Sequence, residues 1–288
     1  MYPEGHDGVV APVDPRDADW KSPHDRAMDA IPPNFVAAGF TEMWQPVYDK
    51  YGMFFESAAK LRPIVSEMVR QPIQGQLPLL VGHMAAAAAN TYGALLTLVL
   101  NGYGHDAMKL ARSLFEVELN ILWLKNHPED LTDFLDYTFI QQKQIYDIFS
   151  EEQKKQVPKE RYEQMMQEYN RVLPRFATGR DRTRPRSEWC RESLFDRAKE
   201  AGLDYLYRTF YRQASSLHHL DIGGISLHLD DEMNAHMAPS WAWLEDALIA
   251  SGSVLRCISY FDEMAQLGFK ERLESGPNQD YVAALKAL

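Results

Sequence analysis

The sequence contains very little cysteine, with only Cys190 and Cys257 among 288 residues. The two stand far apart, so the chain has neither a disulfide framework nor a zinc ribbon. It also lacks a glycine-rich phosphate loop, a nucleophile elbow, a dinucleotide-binding fingerprint and a His-Glu-x-x-His motif. These absences argue against the commonest nucleotide-binding, serine-hydrolase and zinc-protease sites, and the scarcity of cysteine predicts a reducing, cytoplasmic setting.

Positive charge is also in short supply, since 30 Lys and Arg face 41 Asp and Glu, a net charge of −11. A uniformly negative surface repels nucleic acid, so we expect no DNA binding, although a local basic patch stays open. The first residues show no basic start followed by an apolar run, so we expect no secretory signal. The longest apolar window, residues 79–100, carries His83 and Asn90 and is rich in alanine. It predicts a buried core helix and no membrane span.

Strand signals are nearly missing, and from residue 35 onward the apolar residues follow the helical period. We therefore predict an all-α bundle of about seven to eight helices, one of them broken or kinked at Pro63. Residues 1–34 hold six prolines without periodicity and predict an extended Pro-rich N-terminal arm. The all-helical domain would then be residues 35–270, followed by a polar C-terminal tail at 271–288.

One predicted helix, residues 106–126, is apolar almost all round and should be central in the bundle. Arg112, Glu116 and Asn120 stand four apart on one stripe of it, and Trp123 continues that stripe. Burying such charges costs several kcal/mol unless they are paired. Two interpretations remain open: an intrahelical ion pair at the bundle edge, or side chains that line an interior polar pocket.

A second polar group lies on the predicted helix in "YRTFYRQASSLHHLDIGG". Arg212 and His219 are seven residues apart, which brings them within about 20° of one face, together with Ser215. His218 shares its face with Tyr211 instead and is predicted to be a packing residue. A histidine can move a proton and an arginine can stabilise a phosphate, whereas the plainer alternative is an ordinary solvated face.

Arg212 and His219, with six residues between them, resemble the arginine, four-to-six residues, histidine motif of the HEPN superfamily, the higher-eukaryote and prokaryote nucleotide-binding helical bundles. His218 gives a gap of five, which also fits. The residue after the motif arginine, commonly Asn, Asp or His in ribonuclease members, is Gln213 here. The resemblance implies a metal-independent ribonuclease, a toxin or antiviral defence effector that works as a homodimer and needs no cofactor.

A second resemblance covers about residues 75–270. The segment "LARSLFEVELNILWL", followed much later by "YRQASSLHH", is similar to a widespread bacterial family of uncharacterised helical proteins. That family's pattern combines an Arg-Ser-x-x-Glu helix with a Tyr-x3-Ser-x3-His helix. The matching residues are Arg112, Ser113 and Glu116 in the first helix and Tyr211, Ser215 and His219 in the second.

An arginine-rich loop is the predicted contact for RNA. The seven arginines of this region are Arg171, Arg175, Arg180, Arg182, Arg184, Arg186 and Arg191. In an acidic chain such clustering creates a local positive field, and Trp189 could stack on a base. The candidate substrate-binding residues are Arg180, Arg182, Arg184, Arg186 and Trp189. The alternative is a loop whose arginines pair with acids on neighbouring helices.

Residue types that bind metals crowd into 218–236 without a standard metal-binding spacing. They are His218, His219, Asp221, His228, Asp230, Asp231, Glu232 and His236. We expect no metal centre, and the one alternative kept open uses Glu116, His219 and Asp221. Asp221 is equally suited to a turn at a helix end.

Three functions remain open for this sequence. The first is an HEPN-like ribonuclease with the candidate catalytic residues Arg212, His219, Arg112, Glu116, Ser215 and Tyr211. In it, His219 moves the proton and Arg212 stabilises the phosphorane. The second is a non-enzymatic helical sensor or partner module with a buried polar network. The third is a small-molecule or metal-dependent enzyme that uses Glu116 and His219. If the polar residues form one site, the two helices that carry them must touch.

Overall fold

A computed structural model describes residues 39–178, 184–219, 221–229, 232–234 and 239–288. Residues Met1–Thr41 and Glu42–Leu288 form separate units, and the predicted arm at 1–34 lies outside the described residues. The described chain is helical apart from two short antiparallel strands, β1 (Ala177–Thr178) and β2 (Arg184–Pro185). The prediction of an all-α fold is therefore confirmed.

Among the described residues, three long helices come first: α1 (Thr41–Met68), α2 (Gln76–Leu100) and α3 (Gly104–Asn126). Helix α2 is long and apolar enough to cross a membrane by length and composition alone, a test that the core helix of a soluble protein also passes. Its buried residues pack within the bundle, in line with the predicted core helix.

A long helical hairpin follows α3. The short 3₁₀ turn Pro128–Asp130 leads into α4 (Leu131–Asp147), α5 (Glu151–Gln156) forms the tip, and α6 (Lys159–Phe176) returns to the body. Helices α4 and α6 pack against each other along the hairpin.

The rest of the described chain consists of shorter helices. They are α7 (Leu194–Glu200), α8 (Asp204–Leu206), α9 (Arg212–His219), α10 (Ile222–Leu227), α11 (Leu244–Ala250), α12 (Ser253–Ala265), α13 (Lys270–Leu273) and α14 (Gln279–Ala287). π-Helical turns at Tyr207–Tyr211 and Glu274–Asn278 join α8 to α9 and α13 to α14. The helical segments outnumber the predicted seven to eight because turns divide the C-terminal half.

Helix α3 lies at the centre of the described bundle, as its apolar sequence predicted. It packs against α2, α7, α9, α11 and α12. Its first residue, Gly104, approaches the segment before α11 so closely that a Cβ atom would lie 1.9 Å from the carbonyl oxygen of Ala242. Glycine is therefore required where α3 enters the core.

Of the predicted break or kink at Pro63, the break is wrong, because α1 continues through both Pro46 and Pro63. A proline inside a helix costs about 3 kcal/mol through a lost hydrogen bond and a backbone clash. Leu61 and Ile64, on either side of Pro63, are buried against the bundle. Their burial contributes about 1.5–3 kcal/mol each, which is enough to keep the helix continuous.

The predicted polar tail at 271–288 is helical and packs on the body. Leu273 and Tyr281 are buried, and the Tyr281 hydroxyl donates to the carbonyl oxygen of Leu248 at 2.6 Å. The ring of Tyr281 also meets Phe54 of α1 edge to face, with 5.1 Å between the centroids. The helical domain therefore includes α13 and α14 and does not stop at residue 270.

Candidate functional site

The two helices that carry the polar motifs meet at the hydroxyl of Tyr211. This hydroxyl donates to Glu116 Oε1 at 2.6 Å and accepts a hydrogen bond from Arg112 at 3.0 Å. Arg112 and Glu116 are also in direct contact at 2.8 Å. The expectation that α3 and the helix of Tyr211 touch is therefore confirmed, and these three side chains form what we call the tyrosine cluster.

Tyr211 occupies a fixed position because it ends the π-helical turn and packs on both sides. Its ring stacks on Tyr207 with 4.9 Å between centroids, and it lies 5.6 Å from the ring of Phe115 on α3. The Arg112 guanidinium covers the Tyr211 ring at 5.0 Å. Burial, followed by the hydrogen bond to Glu116, raises the pKa of Tyr211. The hydroxyl therefore stays protonated at neutral pH.

The tyrosine cluster combines parts of the two interpretations of Arg112 and Glu116. The two residues form the intrahelical pair, yet the Arg112 side chain is only 16% exposed and reaches a second helix. The Nε atom of Arg112 is buried and has no hydrogen-bond partner among the described residues. An unsatisfied donor of this kind costs about 1–3 kcal/mol, so the cluster keeps one unused hydrogen-bonding group.

His218 is not the packing residue that we predicted. It is exposed on α9, seven residues or about two helical turns after Tyr211. Desolvation, followed by the positive charges of Arg112, His219 and Lys109, lowers the pKa of His218 below its ordinary value. Sequence periodicity placed His218 on the face of Tyr211 correctly, but it could not show that this face meets charged residues of α3.

Arg212, Ser215 and His219 lie on the neighbouring face of α9, outside the tyrosine cluster. Arg212 and His219 are exposed, Ser215 is half-buried, and no side-chain hydrogen bond joins any of the three to another described residue. The His219 ring lies 4.9 Å from that of His218, nearly perpendicular to it. Helix α9 therefore presents two adjacent exposed imidazoles.

Asp221 has the structural role that the sequence left open for it. One carboxylate oxygen accepts the amide hydrogen bond of Gly224 at 2.8 Å, which caps α10, and the other accepts the Ser216 hydroxyl at 3.3 Å. Among the described residues, no group of three or more His, Cys, Asp or Glu could hold a metal ion. Asp230, Asp231 and His236 lie outside the described part of the chain.

Three of the loop arginines are paired with acids, as the alternative interpretation of this region proposed. Arg171 and Arg175 share the carboxylate of Asp136, and Arg175 also donates to Asp133 at 2.8 Å. Arg186 lies 3.5 Å from Asp133. The hydrogen bond from Arg171 is the main cause of the lowered pKa of Asp136. These pairs fasten the base of the loop to α4.

The remaining residues of the predicted RNA contact are divided. Arg180 and Arg182 lie outside the described residues, and Arg184 is exposed. Trp189 is 9% exposed, and its indole N–H donates to the side-chain oxygen Oδ1 of Asn120 on α3 at 3.3 Å. Its ring is thus part of the core, which removes the stacking surface that the sequence suggested.

Two buried charged residues, Arg197 and Glu118, were not predicted from the sequence. Arg197 of α7 is 4% exposed and donates to Asn120 at 2.6 Å. Glu118 of α3 is fully buried and receives hydrogen bonds at both oxygens from Arg256 of α12, one of them at 2.8 Å. A charge within the apolar run "FEVEL" was the available signal for Glu118.

Comparison with known proteins gives a family and no activity. No curated protein and no solved structure matches the chain. A profile described as a family of unknown function, DUF5677, matches residues 79–237. This is more than half of the 288 residues, and it spans α2 to α10, with both helices of the tyrosine cluster. The chain therefore belongs to the DUF5677 family.

Proposed function

We propose that the chain is a metal-independent endoribonuclease of the cytoplasm, acting as a toxin or defence effector on RNA phosphodiesters. The observation that carries the proposal is the pair of exposed imidazoles on α9, His218 and His219, with 4.9 Å between ring centroids. Arginines flank the pair: Arg112 lies close enough to depress the pKa of His218, and Arg212 shares the face of His219.

His218 is the proton acceptor in this proposal. Its lowered pKa keeps it neutral near pH 7, so that it can take a proton. The ribose 2′-hydroxyl gives its proton to His218 while the 2′-oxygen attacks the adjacent phosphorus. The sequence had assigned the histidine role to His219 alone.

His219 then acts as the proton donor. As the bond from phosphorus to the 5′-oxygen breaks, protonated His219 gives its proton to that leaving oxygen. The products are a 2′,3′-cyclic phosphate and a 5′-hydroxyl. The cleavage step therefore incorporates no water molecule and, in this proposal, needs no metal ion. Arg212 supplies a permanent positive charge for the extra negative charge of the phosphorane.

The tyrosine cluster positions this site. Glu116 and Tyr211 hold the Arg112 guanidinium in place, and after desolvation the charge of Arg112 is the next cause that lowers the pKa of His218. Arg184, exposed at the edge of the loop, remains available to guide RNA.

The test is cleavage of an RNA oligonucleotide in the presence of EDTA. We expect His218→Asn and His219→Asn each to reduce the rate by about 10²–10⁴-fold, the range for loss of a general acid or base. Arg212→Gln should reduce it by about 10²–10³-fold, the range for loss of one group that stabilises transition-state charge. His83→Asn is the matched control, because His83 is an exposed histidine on α2. A substrate with 2′-deoxyribose at the cleavage site should resist cleavage. Wild-type protein that leaves RNA intact, or variants as active as wild type, would contradict the proposal.

A non-enzymatic partner module is the second candidate, and one observation favours it. Tyr211 makes hydrogen bonds to both Glu116 and Arg112, and these two residues also contact each other. A buried polar network that specifies helix packing has the same kind of mutual contacts. Under this alternative, the His218 and His219 variants change neither RNA cleavage nor the stability of the fold.

A further inference from the structure

The outer half of the α4–α6 hairpin, residues 141–171, contains no buried residue. On α4 the buried residues are Tyr137 and Ile140, and on α6 they are Val172 and Phe176. All four lie at the root of the hairpin. The 31 residues between them are ordered without a core of their own, although fixing each backbone residue costs about 1–2 kcal/mol.

The tip of the hairpin is nevertheless well formed. Ser150 and Gln153 make a reciprocal capping box at the start of α5, with hydrogen bonds of 3.3 and 2.8 Å. Tyr146 and Tyr162 join the two arms through ring contact at 5.1 Å. Local contacts thus hold the two arms in a defined arrangement that presents a defined surface.

That surface combines a groove with a protrusion. The groove has a volume of about 650 Å³ and includes the half-buried apolar side chains Phe139, Phe149 and Met165. Ile145, 54% exposed, is part of the groove wall, and Ile148, 81% exposed, stands beside the groove. An interface around a two-fold axis requires one patch to contain its own complement, and a groove next to an apolar protrusion meets this requirement.

The distribution of charged residues favours a second copy of this chain as the protein that binds this surface. The whole chain carries −11, so two copies repel each other over most of their surfaces. Residues 143–168 contain five Lys or Arg and six Asp or Glu, a local net charge of −1. Basic residues such as Lys154 and Lys155 lie here next to acidic ones such as Glu151 and Glu152. Two such surfaces can face each other with opposite charges in contact.

We propose that the outer hairpin is a self-association surface, which binds the same surface of a second copy of this chain. Each copy would insert Ile148 toward the groove of the other, where it meets the wall that contains Ile145, and cover apolar area that the single chain leaves in water. The inference is independent of the ribonuclease proposal, because no residue of the α9 site lies in the hairpin.

The test is sedimentation of the full chain over a range of concentrations. We expect a monomer–dimer equilibrium that Ile148→Glu and Ile145→Glu each weaken by at least about tenfold, since both place charge in an apolar contact. Ile222→Glu is the matched control, because Ile222 on α10 is also 81% exposed, and it should leave the equilibrium unchanged. Circular dichroism should show the same helix content in all variants.

Amide hydrogen exchange locates the contact independently of the variants. Protection of residues 141–171 should rise with protein concentration, while that of residues 222–227 should not. A chain that is monomeric at every concentration overturns the proposal and leaves the hairpin to a different protein. A dimer that resists both isoleucine variants, or that gains protection elsewhere, also overturns it.

Discussion

At the scale of single residues, His218 and His219 show how neighbours in sequence acquire different chemistry. Both are exposed, and for His218 desolvation, followed by the positive charges of neighbours that include Arg112 and Lys109 of α3, lowers the pKa. Sequence periodicity could separate their faces. It could not tell which face carries the charged neighbours, because that depends on how α3 and α9 pack.

The pKa of His218 provides a test that does not depend on activity. We expect His218 to titrate below 6.5 by NMR, and Lys109→Gln to raise that pKa, because a nearby positive charge is removed. Lys125→Gln is the control, since Lys125 is similarly exposed but lies at the other end of α3. In activity assays, the rate should fall as the pH drops through the pKa of His218. Titration of His218 at or above 6.5 would contradict the assigned environment.

At the scale of helices, α9 and α10 approach each other through a glycine pair that the sequence marked only as a turn. A Cβ atom on Gly224 would lie 2.0 Å from the backbone oxygen of Ser216. On Gly223 the nearest atom would be a side-chain oxygen of Asp221 at 3.2 Å. The two glycines therefore have different functions, and only Gly224 sets the distance between the helices.

Alanine substitution distinguishes these two glycines. We expect Gly224→Ala to lower the free energy of unfolding by about 1–3 kcal/mol, because the backbone of α9 must move to admit the methyl group. Gly223→Ala should be close to neutral, since the gain in helix propensity offsets a small side-chain adjustment. Urea denaturation of the two variants measures the difference, and equal stabilities would refute the close approach.

At the scale of the whole molecule, the sequence predicted the fold class and the central position of α3, but not the limits of the domain. Helical periodicity and proline spacing are local signals, and they identified most long helices. The segment after residue 270 looked like a tail because its apolar residues are few. Tyr281 acquires its partners only through contacts with α1 and with the end of α11.

Packing of the C-terminal helix can be measured with two adjacent residues. Tyr281→Ala should cost about 3–5 kcal/mol of unfolding free energy, the usual range for loss of a buried aromatic ring. Val282→Ala should cost less than about 1 kcal/mol, because Val282 is 47% exposed on the same helix. If residues 271–288 were a solvated tail, both substitutions would be neutral.

Helix α3 holds its two neighbouring glutamates with arginines on opposite sides. Glu116 pairs with Arg112 on the outer face, and Glu118 pairs with Arg256 in the core. Rotation of α3 about its axis would separate Glu118 from Arg256 and leave a buried carboxylate uncompensated, at a cost of about 3–5 kcal/mol. The buried ion pair therefore opposes rotation of α3. Any opening of the tyrosine cluster must come from movement of Tyr211 together with α9, which follows it.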